Sequence, residues 1–263
     1  MRIRMIVEYD GTHYSGWQRQ KQDPSVQQTL EDAMARLFGQ PVTLHGAGRT
    51  DAGVHARGMV CHFDCQTRIP PERIAYALNF ALPRDVRVKR SEQAADDFHA
   101  RFDAVGKWYR YAIYNHPQAG ALNRLYVAHV PFHLEVDAMQ RALAHLPGTH
   151  DFAAFAASGS TVKNTVRTID GAFLQKQDET LTLDVIGNGF LYNMVRIIAG
   201  TLLDVGKGKL PEDVFAQMIQ SGDRVRGGTT APAHGLTLMQ VFYTERERAH
   251  CLSRFVPERA QTP

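Results

Sequence analysis

One glycine-rich run, Gly46-Ala47-Gly48-Arg49-Thr50-Asp51-Ala52-Gly53, holds the residue types and spacing best suited to chemistry. A dinucleotide-binding pattern G-x-G-x-x-G would need glycine at position 51, where Asp51 stands. A P-loop would need Lys-Ser or Lys-Thr after Gly53, and the chain continues Val54-His55. A carboxylate in the middle of a phosphate cradle would repel its ligand, so this loop presents Asp51 rather than an anion site. Glycines at 46, 48 and 53 allow sharp turns and close approach of a substrate to the backbone. Arg49, two residues before Asp51, would oppose desolvation and keep a partly buried carboxylate ionised. Such a carboxylate serves as nucleophile or base. The same residue also suits a plain turn cap, the commoner fate of a loop aspartate.

Other candidates are scattered. Arg196 falls inside an apolar helical pattern, where a charge needs a partner unless its long stem carries it to solvent. In the run 107–114, Tyr109 and Tyr111 share one strand face, and Trp108 and Arg110 the other. Aromatics beside Lys and Arg suit base stacking and phosphate contact, although strand aromatics more often pack in a core. Arg87, Lys89, Arg90, Arg101, Lys107 and Arg110 form a basic series that is either an interaction surface or a solvated face. Cys61-His62-Phe63-Asp64-Cys65 resembles a metal set only on paper. Strand alternation turns the two cysteines away from His62 and Asp64, and no second cysteine pair exists, so no metal is expected. His55 and His99 fit acid–base roles or ordinary hydrogen bonding.

The elements that must position these groups follow from periodicity. Residues 2–9 read as a strand ended by Asp10-Gly11-Thr12. Ser25 and Gln28 form a capping pattern before Val26, Leu30, Ala33, Met34, Leu37 and Phe38, and Gly39 closes that helix. Strands are expected at 42–46, 58–64, around 86–88, at 107–114, 180–186 and 236–243, and helices at 71–80, 136–146 and 191–205, with a shorter one after Pro211. The 191–205 helix is apolar on more than one side, which predicts deep burial. The order is not regular enough for a parallel doubly wound sheet. It predicts an α+β fold with a largely antiparallel mixed sheet in two similar halves, residues 1–105 and 106–245, followed by a polar, Arg-rich peripheral tail at 246–263.

Composition sets bounds. A chain of 263 residues with a net charge of +3 can bury a substantial core, and it does not announce a nucleic-acid binder by total charge. Three cysteines are too few for a disulfide framework. With no signal-peptide pattern at the start and no apolar stretch of spanning length, a soluble cytoplasmic protein is expected.

The run from Gly46 to Ala56 resembles the signature of the tRNA pseudouridine synthase A family. The resemblance continues in register over about residues 3–243. It takes in Asp10-Gly11 with Tyr14-Ser15-Gly16-Trp17-Gln18, Phe98-His99-Ala100-Arg101, and Lys107-Trp108-Tyr109-Arg110-Tyr111. Further on come Phe190-Leu191-Tyr192 with Met194-Val195-Arg196 and Gly200, then Gly235-Leu236, Leu238, Val241 and Tyr243. Met59 departs from the glutamine more usual there. The resemblance implies Asp51 as catalytic aspartate, Tyr109 as the tyrosine packing on the target base and assisting loss of the C5 proton, and Arg196 as partner of the aspartate. It implies a pseudouridine synthase fold with an active-site cleft between its halves, no metal or cofactor, a homodimer, and isomerisation of uridines 38, 39 and 40 in the tRNA anticodon stem-loop. Arg49, Arg101, Lys107 and Arg110 join Tyr109 as candidate substrate-binding residues. Two rivals remain at this level: a glycoside or nucleoside hydrolase, for which Asp10 is the nearby second carboxylate, and an RNA-binding module without chemistry.

Overall fold

The computed structural model describes residues 1–157, 159 and 162–255. Two compact units are formed, Met1–Ala104 with Thr237–Tyr243, and Val105–Leu236 with the described residues from Thr244 to Phe255. The described residues hold ten strands and six α-helices in mixed, mostly antiparallel pairing, an α+β fold.

In the first unit, β1 (Arg2–Tyr9) buries every second residue, Ile3, Met5, Val7 and Tyr9, as a half-buried strand must. α1 (Val26–Phe38) starts where the Gln28 N–H donates to Ser25 Oγ and stops at Gly39, left-handed at φ 70°. The strand expected over 42–46 shrinks to β2 (His45–Gly46). The cause lies in α1: Leu44 donates its N–H to Glu31 Oε1, and its carbonyl accepts from Gln27 Nε2, so helix side chains take the hydrogen bonds a sheet would have used. β3 (His55–Asp64) begins earlier than expected, directly after the Asp51 turn. It pairs antiparallel with β1, Ile3 opposite Phe63. α2 (Pro71–Ala81) and β4 (Val86–Gln93) follow, and β4 pairs with the other edge of β1.

The second unit opens with β5 (Gly106–Asn115). β6 (Ala128–Val130) pairs parallel with it. After α3 (Val136–Leu143) come β7 (Gly148–Asp151), β8 (Val166–Gln177) and β9 (Thr180–Gly187), in the antiparallel order β5-β9-β8-β7. α4 (Met194–Gly206) is buried on nearly all sides, as its apolar pattern predicts, and α5 (Val214–Ser221) follows. β10 (Leu236–Phe242) then serves the first unit, pairing parallel with β3 through Thr237 opposite His55. Beyond it, α6 (Glu245–Ser253) starts in a full capping box between Thr244 and Glu247. That helix was not foreseen. It buries Cys251 and hydrogen-bonds Arg248 to the Val105 carbonyl. Residues 256–263 of the expected tail lie outside the described residues. No described helix is long and apolar enough to cross a membrane.

Candidate active site

Asp51 sits half-buried in the turn that feeds β3. Its carbonyl accepts the Val54 N–H at 3.1 Å, and Gly53 takes a left-handed φ of 76° to complete the turn. The segment Asp10–Trp17 is fastened across this turn by main-chain bonds: Trp17 N–H to the Thr50 carbonyl at 3.1 Å and Gly53 N–H to the Tyr14 carbonyl at 3.2 Å. The Tyr9 hydroxyl meets Thr50 Oγ1 at 2.7 Å, and the Gly11 N–H donates to His55 Nδ1 at 3.0 Å. A β-carbon at Gly11 would collide with the Val54 carbonyl, and one at Gly16 with the Thr50 carbonyl. Gly16 also stands at φ 94°. These two glycines let the backbones touch, and the glycine pair in Asp10-Gly11 and Ser15-Gly16 therefore belongs to the same small structure as Asp51. Gly46 plays a different part from the turn expected of it, making room for the Trp17 ring.

Asp10 is engaged in its own turn, its Oδ1 accepting from the Thr12 N–H at 3.0 Å and the Thr12 hydroxyl at 2.5 Å, with His55 Nδ1 at 3.2 Å. These bonds build the turn that ends β1. Met59, the departure from the family pattern, is fully buried in the core. Arg49 is exposed.

In the second unit, the two faces of β5 divide as the alternation predicts. Tyr109 is buried and edge-on to Phe190, with ring centroids 5.1 Å apart. Tyr111, on the same face, donates its hydroxyl to the Pro232 carbonyl at 2.9 Å, and burial pushes its pKa well up, so it stays a donor. On the opposite face, Trp108 Nε1 donates to Asp184 Oδ1 at 2.6 Å. Arg110 grips the same carboxylate with two nitrogens at 2.9 and 3.0 Å. Asp184 is fully buried, and only such a paired, hydrogen-bonded carboxylate is tolerable there.

Arg196 is half-buried on α4. Its Nε donates to the Ala231 carbonyl and its Nη1 to Asn193 Oδ1, both at 2.8 Å. Neither partner was read from the sequence. The legible signal was an asparagine three residues before the one basic residue of an apolar helix, which puts both on one helix face.

The basic series is mostly spoken for. Lys89 pairs with Glu8 at 3.0 Å, Arg90 with Glu92 at 2.6 Å, and Arg87 donates to the carbonyls of Leu82, Pro83 and Val86. Arg101 remains exposed, 5.8 Å from the centroid of the Phe102 ring, and Lys107 is half-buried. His99 has a hydrogen-bonding role, its Nδ1 accepting the N–H groups of Arg101 and Phe102. His62 stacks with His45 at 5.0 Å and meets His99 at 4.7 Å, a cluster visible only once β2 is laid opposite β3. Burial, then the neighbouring imidazoles His99 and His45, lower the His62 pKa to about 4. Its Nδ1 accordingly accepts the Ala100 N–H. Cys61 turns to the Met5 carbonyl, and burial pushes its thiol pKa up.

Set beside known proteins, the chain matches a family model described as tRNA pseudouridine synthase over residues 5–103 and 142–244. It is 50% identical to the tRNA pseudouridine synthase A of Acetivibrio thermocellus over 241 residues, covering 92% of this chain and 99% of that one. The corresponding protein of Ruminiclostridium cellulolyticum is 49% identical over 243 residues, and that of Pelobacter propionicus 48% over 241, with the same coverage.

Proposed function

Since the chain belongs to the tRNA pseudouridine synthase family, a family of isomerases acting on tRNA uridine, we propose that it converts uridines 38, 39 and 40 of the anticodon stem-loop to pseudouridine, with Asp51 as the catalytic carboxylate. One observation carries this reading. The turn that presents Asp51 is clamped by main-chain bonds from Trp17 and Gly53, so the carboxylate is delivered on a rigid turn.

The target uridine leaves its stack, at a cost of a few kcal/mol, and is received by Asp51 and Tyr109. Asp51 promotes cleavage of the N1–C1′ bond, by attack at C1′ or at the uracil ring. The detached uracil turns, C5 bonds to C1′, N1 takes up a proton and C5 loses one. Atoms and electrons balance without an oxidant or a leaving group, so the step needs no redox cofactor. By the family resemblance Arg196 serves the catalytic aspartate, as a cation that favours its ionised form. Tyr109, packed edge-on to Phe190, supports the base and helps remove the C5 proton. Arg49 and Arg101 meet phosphates, aided by Lys107. Arg110 contributes least, because Asp184 already takes two of its nitrogens. A homodimer in the cytoplasm completes the reading: the family resemblance supports the dimer, and the three cysteines, too few for a disulfide framework, support the compartment.

The test is to incubate the protein with unmodified tRNA and map the products. Pseudouridine at 38, 39 or 40 with no free uracil is expected. Release of free uracil, or modification confined to another arm, would overturn the assignment.

A further inference from the structure

α4 begins in an unusual way. Its N-cap, Asn193, stands at φ 61° and ψ 7°, a left-handed conformation that residues other than glycine adopt rarely and at a cost. Asparagine is among the best N-cap residues because its side-chain oxygen ordinarily accepts a free N–H of the first turn. Here the side chain makes no such cap bond. Its Oδ1 instead accepts from Arg196 Nη1 at 2.8 Å. The helix thus gives up a stabilising side-chain cap, and in its place the same side chain fixes a guanidinium.

A second device acts on the same group. The strap at 227–232 lies against α4 so closely that a β-carbon at Gly200 would collide with the Thr229 carbonyl. Ala231 N–H donates to the Arg196 carbonyl at 3.0 Å, and the Ala231 carbonyl accepts from Arg196 Nε at 2.8 Å, so Arg196 holds this residue from both its backbone and its side chain. The strap is anchored in turn by Gly228 N–H to Thr201 Oγ1 at 3.0 Å and by the Tyr111 hydroxyl on the Pro232 carbonyl. Two nitrogens of a planar, fork-shaped group are thereby bonded to acceptors on different segments, which sets the plane of the guanidinium as well as its position.

We propose that Asn193 is a positioning residue for the isomerisation: through its left-handed backbone and Oδ1 it aims the Arg196 guanidinium, while the Ala231 carbonyl fixes the other edge. The proposal rests on the catalytic role assigned to Arg196 above. A residue that only steadies the helix would act on stability. One that aims Arg196 acts on the rate of the chemical step with little effect on tRNA affinity.

The test uses the full chain, tRNA substrate and four proteins: native, Asn193→Gly, Asn193→Asp and Arg196→Ala. Glycine accepts φ 61° without strain but lacks the acceptor, so Asn193→Gly should melt like the native protein. Its kcat should fall about tenfold to a hundredfold, as misaimed groups do, with KM within about twofold. Asn193→Asp keeps the acceptor at the same place and should stay within about fivefold of the native kcat. A folded Asn193→Gly protein at native kcat, or an Asn193→Asp protein as slow as the glycine variant, would overturn the proposal. Arg196→Ala separates the two levels. If it is inactive while Asn193→Gly runs at native speed, the positioning role alone falls. If Arg196→Ala itself runs at native speed, the role of Arg196 falls and this inference with it.

Discussion

The turn bearing Asp51 and the helix end bearing Arg196 solve one problem by different means. In the first unit the carboxylate is placed by main chain. Peptide groups of Trp17, Gly53 and Val54 bind other peptide groups, and glycines at 11 and 16 bring backbones into contact. In the second unit the guanidinium is placed by side-chain bonds, Asn193 Oδ1 on one nitrogen and a peptide carbonyl on another, with Tyr111 and Thr201 anchoring the strap behind. A short side chain such as aspartate can be no better placed than its own backbone, so that backbone must be rigid. A long side chain with several rotatable bonds needs acceptors along its length. The lesson is that the two sites should fail differently when altered.

Gly16→Ala should cause the largest stability effect, about 3 kcal/mol, because a new methyl meets the Thr50 carbonyl and the residue is also forced to hold φ 94°. Gly208→Ala is the control. It shares the positive φ but faces open space, and should cost only about 1 kcal/mol. Urea unfolding of the two variants compares them, and equal losses would break the claim that the Asp51 turn depends on backbone contact.

Smaller effects are expected in the second unit. Thr201→Val leaves the buried Gly228 N–H without its acceptor, costing about 2 kcal/mol, and Tyr111→Phe removes one bond to Pro232, costing about 1 kcal/mol. Both should slow turnover more than they weaken tRNA binding, since the strap they hold carries the Ala231 carbonyl. Loss of affinity with unchanged turnover would argue that the strap serves binding.

A pH dependence is expected in the first unit. His62 has a folded-state pKa lowered to about 4 by burial and by His99 and His45, below the ordinary imidazole value of about 6.5. Between those values the unfolded chain binds the extra proton and the folded one does not. Stability from this group is therefore complete above about pH 6.5 and declines as pH falls towards 4. Melting temperatures of native and His62→Gln proteins across that window should converge on acidification. Parallel curves would remove His62 as the cause.

Much of this organisation is legible in the residues, for identifiable reasons. Period-two burial marks β1, the Ser25 cap and Gly39 mark α1, and all-round apolarity marks α4. Legibility fails where a partner decides the outcome. Val42 and Leu44 look like strand residues, yet Gln27 and Glu31 of α1 occupy the Leu44 peptide groups. β8 hides because Asp170-Gly171 reads as a turn and coincides with a break in register between Ile169 and Gly171. α6 has only Cys251 buried, so periodicity is silent, although Thr244 and Glu247 carry a capping signature. Which unit β10 joins is set by its pairing with β3, which no local pattern announces. At the site, Asp51 and Tyr109 stand out by motif, whereas Asn193 and the Ala231 carbonyl matter only through contacts with Arg196.

The most direct measurement is single-turnover pseudouridine formation by Asp51→Asn, with tRNA affinity measured in parallel. The amide keeps the shape of the turn but not the charge, so the rate should fall by more than about a thousandfold while affinity stays within about twofold. An Asp51→Asn protein that isomerises uridine at the native rate would contradict the account.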